Sequence, residues 1–378
     1  MKIVFTGGGT GGHFYPLISV AEEVNDIIDK QNLIQAEMYY LSNTSYDEGA
    51  LFENNITYKH IPAGKMRKYF SLKNGLDFFK TLFGLPTAIH VLFKIYPDVV
   101  FSKGGYASVP VVYAARILGI PVFIHDSDAI PGRANLWAAK FAKRIAVSYP
   151  EAVEHFSKQK DHVAYTGNPI RKRIRMPQTK GAHEHFNFSY DIPTILIMGG
   201  SQGAEHINSN VLRALPELLK HYQIIHQVGK EKYEAHKGFM DIEMGENENL
   251  HRYRLYPFLE EIDLRNAAGC ADLVISRAGS GSIFNIAAWS IPSILVPIPE
   301  HVSRDQRHNA YAYARAGACE VLEQENFTEH VLVSEVHRVL GDEALMEKMR
   351  KGAKSFAKPD AAHAIAQELV KMMVEHEK

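Results

Sequence analysis

Gly7-Gly8-Gly9-Thr10-Gly11-Gly12-His13 follows directly on Lys2-Ile3-Val4-Phe5-Thr6, and this junction decides the fold. A short β-branched run that breaks into glycines and then into a helical pattern reads as strand, anion loop and helix start. Glycines let the backbone approach a charged group closely, and the helix start adds N–H groups and the positive end of its dipole. Positions 7, 9 and 12 also satisfy the dinucleotide spacing G-x-G-x-x-G, which raises a nicotinamide oxidoreductase. That reading needs an acid at the end of the second strand to hold the ribose hydroxyls. The second strand, Met38-Tyr39-Tyr40-Leu41, ends instead in Ser42-Asn43-Thr44. His13 and Pro16 also suit a site loop better than a dinucleotide helix, and the oxidoreductase reading is set aside.

The same plan recurs along the chain. Lys2–Thr6, Met38–Leu41, Val99–Ser102, Val122–His125 and Arg144–Val147 read as strands in the first half; Thr194–Met198, Gln223–Gln227, Leu273–Ser276 and Ser293–Val296 follow in the second. Each precedes a turn and a helical pattern, which argues parallel sheets in an α/β fold. A chain of 378 residues exceeds what one core usually supports. The expectation is two Rossmann-like domains whose parallel sheets face each other across a cleft at the strands' carboxyl ends. The boundaries read as 1–166, a polar linker at 167–191, and 192–358, with the amphipathic helix at 359–378 joining the first domain. Gly199-Gly200-Ser201-Gln202-Gly203-Ala204 repeats the glycine loop after the first strand of the second half, and Lys103-Gly104-Gly105-Tyr106 offers a third phosphate-sized turn. One such loop is ordinarily just a tight turn. Two opening the two halves point to an enzyme that handles phosphate groups.

Composition narrows the class. Hydrophobic residues at 46% and charged residues at 22% exclude wholesale disorder, and a net charge of -1 gives no bulk attraction to nucleic acid. Cys270 and Cys319 are the only cysteines, so a disulfide framework is excluded and a reducing cytoplasm fits. Neither has ligands at metal spacing. The amino terminus shows no signal-peptide apolar core, and no apolar run reaches the ~20 residues of a membrane span. A cytoplasmic protein is expected, one that can touch a membrane without crossing it. The stretch Gly64–Tyr96 suggests how: Lys65, Arg67, Lys68, Lys73, Lys80 and Lys94 accompany Tyr69, Phe70, Phe78, Phe79, Leu82, Phe83 and Leu85, with Asp77 the only acid. Basic residues beside aromatics at helical spacing suit an anionic membrane surface, whereas the plainer reading packs those aromatics in the core.

Taken together, the motifs resemble the MurG family of UDP-N-acetylglucosamine transferases, which make a lipid-linked peptidoglycan precursor. The matching stretches are Gly7–Pro16 (GGGTGGHFYP), Gly104–Pro110 (GGYASVP), Gly167–Arg171 (GNPIR), Gly199–Ala204 (GGSQGA), His226–Lys230 (HQVGK) and Arg277–Gly279 (RAG), in the family's order over nearly the whole chain. The resemblance implies the GT-B fold and inverting transfer from UDP-N-acetylglucosamine to undecaprenyl-diphosphate-linked N-acetylmuramoyl-pentapeptide, with no cofactor or metal. With that acceptor it implies a peripheral protein at the cytoplasmic face of the cell membrane. It implies a donor diphosphate near Ser201, Gln202 and Arg171, uracil read by backbone at Phe258-Leu259, ribose at Asn285 and sugar hydroxyls at Gln306. The loop Arg277–Ser282 would face the diphosphate. The acceptor's diphosphate would lie at Thr10, Gly11, Gly12, Gly104, Gly105 and Tyr106, beside Asp128. His13 is the first candidate for the general base, since imidazole titrates near operating pH; the plainer reading has it only hydrogen-bond its loop. Two other readings stay open here: a related transferase acting on another lipid such as diacylglycerol, and a nucleotide-sugar-binding homologue without turnover.

Two departures stand out. Where the family has His-Glu-Gln-Asn before Ala-x-Pro-Gly, this chain has His125-Asp126-Ser127-Asp128. Asp126 is thereby a second candidate base, or an acceptor for turn N–H groups, the commoner fate of Asp in a loop. The triplet also spells the D-x-D by which other glycosyltransferases hold a divalent metal. The second departure is Asn285, where the family has a glutamate for the ribose. An amide accepts fewer and weaker hydrogen bonds than a carboxylate, which predicts weaker UDP binding.

Overall fold

The structure, a computed structural model, describes residues 1–64, 72–199, 204–300 and 304–376. The chain divides into two compact units, Met1–Lys172 with Lys358–Lys378, and Arg173–Ala357.

The first unit is built on seven parallel strands: β1 (Lys2–Thr6), β2 (Glu37–Ser42), β3 (Ile56–His60), β4 (Val99–Ser102), β5 (Val122–Asp126), β6 (Arg144–Val147) and β7 (Val163–Tyr165). Their order is β3-β2-β1-β4-β5-β6-β7, so the order reverses at β1 and the loops after β1 and β4 lie side by side. In open α/β sheets that reversal is where ligands bind. The central strands β4 and β5 are buried on both faces, as an inner parallel strand must be. Phe5, Phe101 and Phe123 stack edge to face across β1, β4 and β5.

The helix Gly11–Lys30 follows β1 after the four-residue loop 7–10 and buries Phe14, Leu17, Ile18, Ala21 and Val24 on the sheet. Pro16 lies inside the helix, past its first turn, so one i→i−4 bond, to the Gly12 carbonyl, is not made. The helix Ala361–His376 packs against it and is tied in by His363–Glu23, Arg144–Glu368 and His376–Asp98 contacts at 3.0, 2.6 and 2.9 Å. The carboxyl-terminal helix thus belongs to the unit that the amino terminus begins.

The second unit holds six parallel strands: β8 (Thr194–Met198), β9 (Gln223–Gln227), β10 (Tyr253–Tyr256), β11 (Leu273–Ser276), β12 (Ser293–Leu295) and β13 (Cys319–Val321). Their order, β10-β9-β8-β11-β12-β13, repeats the reversal at the first strand. Its core joins Ile195, Ile197, Val211, Leu215, Ile224 and Ile275 to the helices Glu205–Leu218 and Glu329–Leu340. Among the described residues no helix is long and apolar enough to cross a membrane.

Candidate active site

In the first unit, the loop after β1 is pinned from below. Gly7 O accepts from Tyr40 OH at 2.7 Å and from Ser42 Oγ at 2.9 Å, both donors reaching in from β2. Gly8 has no room for a side chain, since a Cβ there would stand 2.6 Å from Ser42 Oγ. The loop after β4 turns through Gly104 and Gly105, whose φ angles of 76° and 79° favour glycine. A Cβ on Gly104 would also stand 2.7 Å from Asn135 Oδ1.

His13 sits in the first turn of the helix Gly11–Lys30 with Thr10 Oγ1 at 3.0 Å from its Nδ1. Its Nε2 edge lies against the second loop, 3.6 Å from where a Gly105 Cβ would be. Burial, with the Lys103 charge adding to it, lowers the His13 pKa to about 4. The ring is half-buried rather than sealed off, so a substrate atom can still reach it. Thr10 and Gly12 are exposed, Gly11 and Gly105 half-buried, and Tyr106 is held through its hydroxyl, which accepts from Asn43 Nδ2 at 3.2 Å.

Beneath these loops lies a hub that sequence reasoning missed. Lys103 is 2% exposed, and its Nζ donates to Ser127 Oγ at 2.5 Å, Asn168 Oδ1 at 3.2 Å and His125 Nδ1. His125 Nε2 meets Gly167 O at 3.0 Å. A carbonyl can only accept, so Nε2 carries the proton and Nδ1 is the acceptor for the ammonium. Burial, together with Lys103, holds His125 well below the usual histidine range. Gly167 and Asn168 belong to the quoted GNPIR stretch, and they are buried in this hub.

Asp126 is 3% exposed and presents its oxygens to the chain itself. Oδ1 accepts from Asp128 N–H at 3.1 Å, and Oδ2 from Gly132 N–H at 3.0 Å and Asn135 Nδ2 at 2.8 Å. Burial raises its pKa against the pull of those donors. These contacts are those of a carboxylate that shapes a turn. Asp128 is half-buried at the edge of the hub. Among the described residues, no group of three or more His, Cys, Asp and Glu side chains is placed to hold a metal ion.

Of the residues expected on the donor side, Ser201 and Gln202 lie outside the described residues. Arg171 falls in the first unit, with its guanidinium 4.3 Å over the Tyr15 ring. The others lie in the second unit. Leu259 is buried, and its N–H donates to Gln227 Oε1 at 2.9 Å. Gln227 ends β9, and its neighbour His226 bridges Asn208 Oδ1 at 3.2 Å and Tyr253 OH at 2.9 Å. Burial lowers the His226 pKa to about 3, so it is a neutral strut for this corner.

The helix Ser280–Trp289 starts behind Gly279, and Gln306 Nε2 lies 4.0 Å from where a Gly279 Cβ would be. Gln306 Oε1 accepts from Ile298 N–H at 3.3 Å, which turns its amide nitrogen toward that helix start. Asn285 is half-buried on the same helix, and its amide makes no hydrogen bond among the described residues. Arg277 is held by neutral groups, donating to Val296 O at 3.1 Å, Pro297 O at 3.4 Å and Gln324 Oε1 at 2.7 Å. A half-buried guanidinium gripped by carbonyls and an amide keeps its charge for an anion. The sequence signal for it was present in the quoted Arg277-Ala278-Gly279.

Residues 3–147 match the glycosyltransferase family 28 N-terminal domain and residues 194–365 the family's C-terminal domain. A relative from Bacillus thuringiensis is 38% identical over 89% of this chain and 91% of its own length, and is named UDP-N-acetylglucosamine--N-acetylmuramyl-(pentapeptide) pyrophosphoryl-undecaprenol N-acetylglucosamine transferase 3. The solved structure of MurG from Acinetobacter baumannii matches with a TM-score of 0.71 at 26% identity, covering 98% of this chain and 99% of that one. The chain belongs to the MurG family. As a member it is a hexosyltransferase with a GT-B-like pair of α/β domains, each on a parallel sheet. A Bacillus cereus relative named as transferase 2 of the same kind is 36% identical over 97% of this chain and 99% of its own length. A UDP-GlcNAc 2-epimerase from Neisseria meningitidis, bound to UDP-GlcNAc, shares the fold at a TM-score of 0.67 and 16% identity.

Proposed function

We propose that this protein transfers N-acetylglucosamine from UDP-N-acetylglucosamine to the muramoyl sugar of undecaprenyl-diphosphate-linked N-acetylmuramoyl-pentapeptide, as an inverting enzyme of peptidoglycan synthesis. The observation that carries the reading is the match of both domains to relatives of that name at 36–38% identity over 89–97% of the chain. Those names favour the peptidoglycan acceptor over a glycerolipid, and His13 at an open glycine loop favours turnover over binding alone.

In the reaction the acceptor hydroxyl attacks the anomeric carbon and the UDP diphosphate departs. His13 takes the proton: with Nδ1–H donating to Thr10 Oγ1, the lone pair sits on Nε2, at the edge facing Gly105. Its depressed pKa keeps it neutral at physiological pH, the form a base requires. The glycine turns at 10–12 and 104–106 cradle the acceptor's diphosphate through backbone N–H groups. Asp126 holds the turn that carries Asp128 beside them.

On the donor side, Arg277 and the start of the helix Ser280–Trp289 stabilise the charge that grows on the leaving diphosphate. Ser201, Gln202 and Arg171 are further donor-side contributors. The Leu259 N–H is spent on Gln227, so uracil is read through the Leu259 carbonyl. Gln306 directs its amide toward the sugar, and Asn285 faces the ribose. The deciding experiment is transfer from UDP-N-acetylglucosamine to a short-chain acceptor analogue with a chelator present. Product supports the whole reading; binding of donor with no product, on this acceptor or a glycerolipid, ends it.

Asn285 gives a directional prediction. Restoring a carboxylate with Asn285→Glu adds one charge-assisted bond to the ribose, worth about 1–3 kcal/mol, so UDP should bind roughly 5- to 150-fold more tightly. Calorimetric titration that finds no tightening removes this account of the position.

The protein lies on the cytoplasmic face of an anionic membrane in this reading and has no nucleic-acid partner. The support is the helix Leu72–Ile95, where Leu82 and Phe83 are 53% and 68% exposed near the exposed Lys80. Leu82 and Leu85 border a groove of about 300 Å³ with Val109, Pro110 and Tyr113. Residues 65–70 of the basic aromatic stretch, and the Lys73, Phe78 and Phe79 side chains, lie outside the described residues. Leu82→Ser with Phe83→Ser should weaken sedimentation with anionic vesicles by about tenfold or more. An unchanged vesicle affinity at an unchanged melting temperature would leave the patch without a membrane role.

A further inference from the structure

Beyond its share in lowering the His13 pKa, Lys103 has no part in the chemistry above, yet it joins the two loops on which that chemistry depends. It is the residue between β4 and the Gly104-Gly105 turn, and its N–H donates to Thr6 O at 2.9 Å, at the end of β1. A Cβ on Gly7 would stand 3.1 Å from its Cβ, so its stem lies directly against the first glycine loop. Lys103 is thus continuous with one loop and in contact with the other.

The ammonium end is a built site. An ammonium has three N–H bonds, and three acceptors meet it: His125 Nδ1 from β5, Ser127 Oγ from the turn that follows, and Asn168 Oδ1 from beyond β7. All three are neutral, so they fix the position of the charge without cancelling it. The titratable groups that act on it are His13 from the helix Gly11–Lys30, His125 from β5, and Asp126 and Asp128 around the following turn. Asp126 is already engaged by three N–H donors. A charge shielded from water reaches further than an exposed one. Two of the departures from the family's His-Glu-Gln-Asn fall here as well: Ser127 supplies the short acceptor at 2.5 Å, and Asp128 adds a carboxylate that acts on the ammonium.

We propose that the buried Lys103 ammonium is a fixed positive charge beneath the two glycine loops through which the acceptor's diphosphate is held, making Lys103 a positioning residue for the acceptor. The proposal rests on the acceptor assignment made above. It fits the setting, because neither loop, Gly7–His13 or Gly104–Tyr106, carries a cationic side chain of its own apart from His13, which is kept neutral. Burial lowers the Lys103 pKa to about 7, with Asp126 and Asp128 opposing, so the charge is present below that pH and lost above it.

The test is steady-state transfer to a soluble diphosphate acceptor analogue between pH 6 and 8.5. A diphosphate diester does not titrate in this range, so a pH-dependent acceptor KM belongs to the enzyme. In the wild type the acceptor KM should rise several-fold as the pH passes 7, while the donor KM stays level. Lys103→Met should raise the acceptor KM about tenfold at pH 6.5, more than it changes kcat, and abolish the pH dependence. A lysine needed only for folding would lower the melting temperature and leave the acceptor KM and its pH profile alone, which overturns the proposal. Should Lys103→Met fail to fold, Ser127→Ala keeps the ammonium but removes one acceptor. It should then move the rise in acceptor KM to lower pH, and an unmoved rise overturns the proposal. A wild type that turns over no acceptor defeats the functional reading itself, a result distinct from turnover with a pH-independent KM.

Discussion

His13→Ala is expected to lower kcat for sugar transfer by about 10²- to 10³-fold, within the range a positioned general base supplies. The donor KM should hold, since His13 lies in the first unit and, Arg171 apart, the nucleotide contacts are assigned to the second. The pH profile carries the sharper expectation. An ordinary histidine is half protonated near pH 6.5, whereas burial and Lys103 bring His13 to about 4. Protonation removes the base, so activity is lost as the pH falls through the folded value. Between pH 6.5 and 5 the wild-type kcat/KM for acceptor should therefore not fall, and the acid limb should centre near 4. The Ala variant should show no such limb in its residual rate. A loss below tenfold would reduce His13 to a loop contact, the plainer of its two sequence readings. An acid limb at 6.5 would mean that the ring is more open to water than its packing against Gly105 implies.

The strands expected from the sequence are inner strands, and the four that escaped are the sheet edges. β3, β7, β10 and β13 each end a sheet. Inner parallel strands are buried on both faces and read as continuous apolar runs, like Thr194-Ile195-Leu196-Ile197-Met198. An edge strand has water beside it and carries polar groups: Lys59 and His60 in β3, Arg254 in β10, Glu320 in β13. Its sequence therefore resembles a loop. The glycine loops were legible for the opposite reason, because positive φ and close backbone approach demand glycine and leave a visible mark.

The hub was not legible. Lys103 lies 22 residues from His125 and 65 from Asn168, and only the parallel order of β4, β5, β6 and β7 brings them together. Each residue stood in a quoted or neighbouring motif, yet nothing in a linear pattern says that a lysine points inward. The same holds for Gln227 and Leu259, joined across 32 residues by one side-chain bond. Arg277 was quoted for its place in the family pattern. That its partners are carbonyls and an amide is a property of the folded turn between β12 and its neighbours.

Asp126 is the position where two sequence readings make opposite predictions. As a base, its replacement by asparagine would cut kcat by about 10²-fold or more and leave the fold intact. The structure supports the other outcome. In Asp126→Asn the amide can present its single oxygen to Gly132 N–H and Asn135 Nδ2, or to Asp128 N–H, but not to both sides. In the better orientation the amide NH2 faces Asp128 N–H, which leaves a partly buried donor unsatisfied and removes charge assistance from the other two bonds. That costs about 2–3 kcal/mol, felt first in the turn 126–132. It also removes a negative neighbour of Lys103, so the ammonium loses part of what keeps it charged. Asp126→Asn should accordingly lower the melting temperature of the first unit by a few degrees. It should raise the acceptor KM most just below pH 7, where the wild-type ammonium is still charged and the variant's is not, and reduce kcat by less than tenfold. Thermal melts set beside the two kinetic constants decide the matter, because a kcat loss of about 10² without a shift in melting would return Asp126 to the role of base.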